Sequence, residues 1–80
     1  MIVIIEGRAA SGKTILMQKI ISRNPGVFQH ILAEGDLYEN WDGIPTEEST
    51  LICVQVLESV PKRLQEHAMI LNTEDIIWRN

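Results

Sequence analysis

Residues 7–14 read Gly-Arg-Ala-Ala-Ser-Gly-Lys-Thr, and each residue type in that order has a use at an anionic group. Gly7 and Gly12 admit backbone conformations, and a close approach of phosphate, that a Cβ would obstruct. Lys13 supplies a compact positive charge for the β and γ phosphates of a nucleotide. The Thr14 hydroxyl suits Mg²⁺, which keeps several waters and bridges phosphate oxygens. Ala9, Ala10 and Ser11 are small and leave the anion cavity open. Arg8 either faces solvent or adds a second cation near the phosphates; the sequence leaves both open. The expected ligand is a nucleoside triphosphate, ATP foremost, with Mg²⁺.

Such a loop works when a buried strand feeds the turn and the turn opens a helix, so that backbone N–H groups and the helix N-terminus converge on the phosphates. Both neighbours are present. Met1-Ile2-Val3-Ile4-Ile5 is an apolar, β-branched run leading straight into the loop, and Ile15 to Ile21 continue it as a helix.

Hydrolysis needs more than binding: an acid at the end of a second apolar strand to help hold Mg²⁺, and a group that orients the attacking water. After the loop, no clean run of four apolar residues ends in Asp or Glu. The nearest is Ile31-Leu32-Ala33-Glu34, with Asp36 two residues on. Glu34 is the candidate catalytic acid and Asp36 the candidate metal ligand beside Thr14; an ordinary acidic loop start is the competing reading. The expectation is weak or partner-dependent turnover.

The elements that must position these residues follow from the pattern. The first strand spans Met1 to Glu6, continuously apolar as in a parallel sheet buried on both faces. A helix runs from Ser11 or Gly12 to Arg23, where Asn24-Pro25-Gly26 stops it. Val27 to Ala33 reads as a second strand. Glu34 to Ser49, with Gly35, Asn40, Asp42-Gly43 and Pro45, reads as loop with a short helical turn at Thr46-Glu47-Glu48. Thr50 to Val56 is a third strand. Ser59 is expected to cap a second helix that carries Pro61 in its first turn and ends near His67. Ala68 to Leu71 gives a fourth strand, and Thr73-Glu74-Asp75 starts a helix or a last turn into Ile76-Ile77-Trp78. The fold class is α/β: a single domain, 1–80, with a small, mostly parallel sheet of about four strands and two main helices.

Composition bounds the rest. Eighty residues allow one domain. The apolar runs are too short to cross a bilayer, and Met1 to Ile5 lacks the basic leader of a signal peptide. The single Cys53 lies in a predicted strand and reads as a buried apolar residue, without disulfide or zinc spacing. The expected setting is cytoplasmic. Charge is uneven: residues 1–27 carry Arg8, Lys13, Lys19 and Arg23 against Glu6 alone, whereas residues 28–58 carry seven acids and no Lys or Arg. The basic end suits an anionic ligand. The acidic middle opposes direct contact with nucleic acid, which is expected only through an assembly.

The motif from Gly7 to Thr14 is identified as that of the P-loop NTPase superfamily (a Walker A loop). Thr50 to Gln55, followed by Glu58-Ser59-Val60-Pro61-Lys62-Arg63-Leu64 and Ala68 to Leu71, resembles the later half of the HerA–FtsK and viral packaging or assembly ATPases. In those proteins a strand ends in a polar sensor residue, and that resemblance implies Gln55 near the γ-phosphate. The family domain is much longer, with a clear acidic strand end and usually an arginine finger. This chain looks like a reduced form of the kind small viral genomes encode, with the host cytoplasm as its implied location.

Three functions compete. One is nucleotide binding with weak or partner-dependent hydrolysis. Another is a small NTPase or nucleotide kinase using Glu34 or Asp36. The third is a non-enzymatic interaction module offering its acidic loop with Tyr38, Trp41 and Trp78. The first carries a further expectation: the chain works as a homo-oligomer or docked on a larger protein, where Arg63 or Arg79 could serve a neighbour's nucleotide.

Overall fold

A computed structural model of the chain describes residues 1–75. Among them are four strands and two α-helices: β1 (Ile2–Glu6), α1 (Lys13–Arg23), β2 (His30–Leu32), β3 (Thr50–Val54), α2 (Lys62–Gln65) and β4 (Ala68–Asn72). The strands form one sheet in the order β2-β3-β1-β4, with every pairing parallel. The two central strands are the two most apolar segments, and burial on both faces is what their unbroken Ile, Val and Leu runs require.

Register divides the core into two faces. Ile2, Ile4, Ile52 and Val54 point one way and pack with Ile44, Val60 and Leu64. Val3, Ile5, Leu51 and Cys53 point the other way and are covered by Leu16, Met17, Ile20 and Ile21 of α1, with Phe28 and Leu71 beside them. The spacing of those four α1 residues is that of a single helical stripe. One face of the sheet therefore carries α1, and the other carries α2 and the turns before it.

The sequence expectation of an α/β fold with a small, mostly parallel sheet of about four strands is met, the sheet being parallel throughout, and several boundaries shift. α1 starts at Lys13 rather than at Ser11 or Gly12 and ends at Arg23 as expected, where the Asn24 side-chain amide donates to the Ile20 carbonyl (2.8 Å). β2 is three residues long, not seven. Val27 N–H turns back to Asn24 (3.2 Å), while Gln29 N–H is taken by Ser49 (2.8 Å) before ladder pairing begins. The helical turns of the 34–49 segment fall at Gly35–Leu37 and Trp41–Gly43, not at Thr46 to Glu48. Ser59 is not a helix cap. It sits in a 3-10 turn, Leu57–Ser59, and α2 begins after Pro61 and stops at Gln65. The expectations for Ile76 to Trp78 and for Arg79 lie outside the described residues.

β2 and β4 are the sheet edges, and β4 leaves Met69 and Ile70 exposed. No helix among the described residues is long and apolar enough to cross a membrane.

Candidate functional site

Because all four strands are parallel, their carboxyl ends share one rim. There β1 leads into α1 on one face while β3 leads toward α2 on the other, and this divergence opens a crevice between the two central strand ends. The glycine-rich loop occupies that crevice.

Gly7 continues β1 and donates its N–H to the Val54 carbonyl at 3.1 Å. Ser11 N–H donates to Arg8 O (3.2 Å), closing a tight turn. Ala10 (φ 60°) and Gly12 (φ 95°) are both left-handed. For glycine that conformation is free. For alanine it costs about 1 kcal/mol, a strain that persists only where surrounding structure holds it. α1 then begins at Lys13, and its first helical bond runs from Leu16 N–H to Gly12 O (3.0 Å). The N–H groups of Lys13, Thr14 and Ile15 precede that bond and have no helical acceptor, so they present donors at the positive end of the helix. No acidic side chain stands in that first turn to compete with an anion.

The Lys13 ammonium donates to the carbonyls of Gly7 (2.6 Å) and Arg8 (3.0 Å). Ammonium carries three donors, so one is left for a ligand. Lys13 also stands between two depressions. It borders a shallow pocket with Ala10, Gly12, Thr14 and Ile15, and a cleft of about 290 Å³ with Ala33, Glu34, Asp36, Leu37, Cys53 and Gln55. Thr14, Lys13, Glu34, Asp36 and Gln55 thus gather at one rim, with Thr14 on the loop side, Lys13 bordering both depressions, and Glu34, Asp36 and Gln55 lining the cleft. Arg8 faces solvent and pairs with Glu74 at 3.4 Å. Both partners are well exposed, so the pair contributes little. Ala9 lies in the same exposed turn.

Asp36 is deployed as a strut. Its carboxylate accepts the N–H of Gln55 (2.7 Å), the N–H of Val56 (3.4 Å) and the hydroxyl of Ser59 (3.0 Å). Desolvation pushes its pKa up, but those three hydrogen bonds and the nearby Lys13 charge outweigh it and hold the carboxyl below its ordinary value. Gln55 is thereby pinned by its backbone, and its exposed side chain lines the cleft. Cys53 sits at the cleft floor as the buried apolar residue its strand context suggested. Burial pushes its thiol up to about 11 against a weaker pull from Lys13, so it stays protonated.

Arg63 is engaged within its own chain. Its guanidinium is half-buried and donates to the carbonyls of Ile44 (2.9 Å) and Trp41, clamping the Trp41–Gly43 turn onto α2. Tyr38 and Trp41 meet edge to face at 5.0 Å and are both partly buried against the core. Trp78 lies outside the described residues.

Sequence reasoning missed Glu6, Asn72 and Thr73. Glu6 accepts from Leu57 N–H (3.0 Å) and from the Asn72 amide (3.2 Å), tying three strand ends together. Thr73 is buried and donates to the Ser11 hydroxyl (3.0 Å). The available signal was position: each is polar and follows an apolar strand at the rim where α/β sheets place ligands. Gly7 also needs a second explanation. A Cβ there would lie 2.2 Å from Thr73 Oγ1 and 2.5 Å from Ser11 Oγ, so protein packing already demands glycine. No protein-family model, curated protein or solved structure matches this chain.

Proposed function

We propose that this chain binds a nucleoside triphosphate, ATP foremost, through residues 7–14. One observation carries the reading: Lys13 is held by the Gly7 and Arg8 carbonyls of a strained turn and is itself the first residue of α1, whose opening N–H groups have no helical acceptor. Cation, convergent donors and helix terminus then act on one anion. Mg²⁺ fits beside it, because Thr14 is an exposed hydroxyl-bearing residue in the first turn of α1. Thr14, phosphate oxygens and water would hold the ion, and when bound it offsets phosphate charge. Asp36 already accepts three hydrogen bonds, so its part is to hold the exit of β3 rather than the metal.

Hydrolysis by the chain alone is slow in this reading. Asp36, the candidate metal ligand, is engaged as a strut, and Arg63 is engaged as a clamp, so in this reading a stimulating cation comes from a partner. Self-assembly or docking on a larger protein supplies one, and the open β4 edge leaves room for it. Calorimetric titration with ATP, GTP and their diphosphates, with and without Mg²⁺, tests the core of the reading. Saturable triphosphate binding supports it, and no binding of any nucleotide refutes it. Light scattering on the same samples shows whether nucleotide changes the mass.

A further inference from the structure

We propose that Thr73 is a positioning residue for the anion loop, acting through Ser11. The proposal rests on the reading of residues 7–14 as a phosphate site.

Parallel register aligns Glu6 with Asn72, so the next residue along each strand, Gly7 and Thr73, come side by side. Three consecutive residues past Leu71 then each touch the loop or its entry: Asn72 to Glu6 (3.2 Å), Thr73 to Ser11 (3.0 Å) and Glu74 to Arg8 (3.4 Å). The three contacts differ in worth. Arg8 with Glu74 is solvent-exposed and weak. Thr73 is 4% exposed, so its hydroxyl is sheltered from water and depends on Ser11 for its hydrogen bond. The contact also lands at a telling place. Ser11 lies between Ala10 and Gly12, the two left-handed residues of the turn. A strained turn keeps its shape only if something outside it holds that shape. Thr73 does so from beneath, pressed against Gly7, whose carbonyl in turn holds Lys13. The strand edge and the phosphate site are coupled through this one hydroxyl pair.

The test measures binding of inorganic triphosphate and of ATP by calorimetry, alongside thermal unfolding. Thr73→Val keeps the shape and removes the hydroxyl; affinity is expected to fall about five- to tenfold. Thr73→Ser restores the donor and should bind within about twofold of the parent. In a Ser11→Ala background, Thr73→Val should cost nothing further, because the bond it breaks is already gone. A purely structural Thr73 would lower the unfolding temperature and leave affinity unmoved well below it, which overturns the proposal. A full additional loss in the Ser11→Ala background overturns it too. If Thr73→Val does not fold, Ser11→Ala decides alone: unchanged affinity rejects the coupling. Absence of binding by the parent chain removes the phosphate-site reading and this proposal together. A parent that binds beside an unaffected Thr73→Val removes only the proposal.

Discussion

The carboxylate of Asp36 and the backbone N–H of Gln55 meet at 2.7 Å, joining the segment after β2 to the exit of β3. Gly35, just before it, is buried against Val54 and the Cys53 carbonyl, so the turn lies flat on β3 and its acid reaches under the strand end. The acid that the sequence offers as a metal ligand forms, in the structure, a clasp between neighbouring strand exits.

Breaking that clasp should show in the acid limb of stability. The folded-state pKa of Asp36 is depressed, so its contribution is complete above the ordinary Asp value and is lost as pH falls through the lowered one. Asp36→Ala should reduce unfolding free energy by about 1 kcal/mol at neutral pH, allowing for its exposure, and flatten the decline at low pH. Urea denaturation across that range measures both.

Lys13→Ala should leave the fold intact and weaken triphosphate binding by about 1.5–3 kcal/mol, roughly ten- to a hundredfold or somewhat more. The ammonium touches only loop carbonyls in the described residues, so its removal should spare the core. Unchanged affinity in calorimetry would falsify the assignment of the loop.

Gly7→Ala places a methyl within 2.2 Å of Thr73 Oγ1, closer than any real contact. Repacking should cost about 1–3 kcal/mol of stability and displace the loop. Thermal unfolding should drop, with triphosphate affinity falling in parallel; a variant as stable as the parent would contradict the packing.

Thr50 offers a change in the opposite direction. Its hydroxyl is fully buried at the start of β3 and has no hydrogen-bond partner among the described residues. Thr50→Val swaps that hydroxyl for a methyl of similar shape and should raise stability by about 1 kcal/mol, read as a higher urea midpoint with unchanged slope.

Much of this fold is written locally. The runs from Ile2 to Ile5 and Leu51 to Val54 are apolar without interruption, and 16, 17, 20 and 21 make a helical stripe, so strands, helix and loop can be read residue by residue. Contacts across long separations cannot. Ser59 looks like a helix cap because such caps are local, yet its hydroxyl goes to Asp36, 23 positions away. Thr73 meets Ser11 across 62 positions, and only the parallel pairing of β4 with β1 brings them together. Glu6 was visible but its partners were not, since Leu57 and Asn72 arrive from two other strand ends.

The shared direction of the four strands also has a practical side for anyone handling the protein. Met1 lies at the opposite end of β1 from the loop, with its carbonyl accepting the Thr50 N–H at 2.9 Å. With the five residues of β1 between them, Met1 and Gly7 stand about 20 Å apart. A purification tag, fluorophore or surface tether attached at the N-terminus would stand clear of the crevice. The proposed triphosphate binding could then be tested on immobilised molecules that all offer the same open rim.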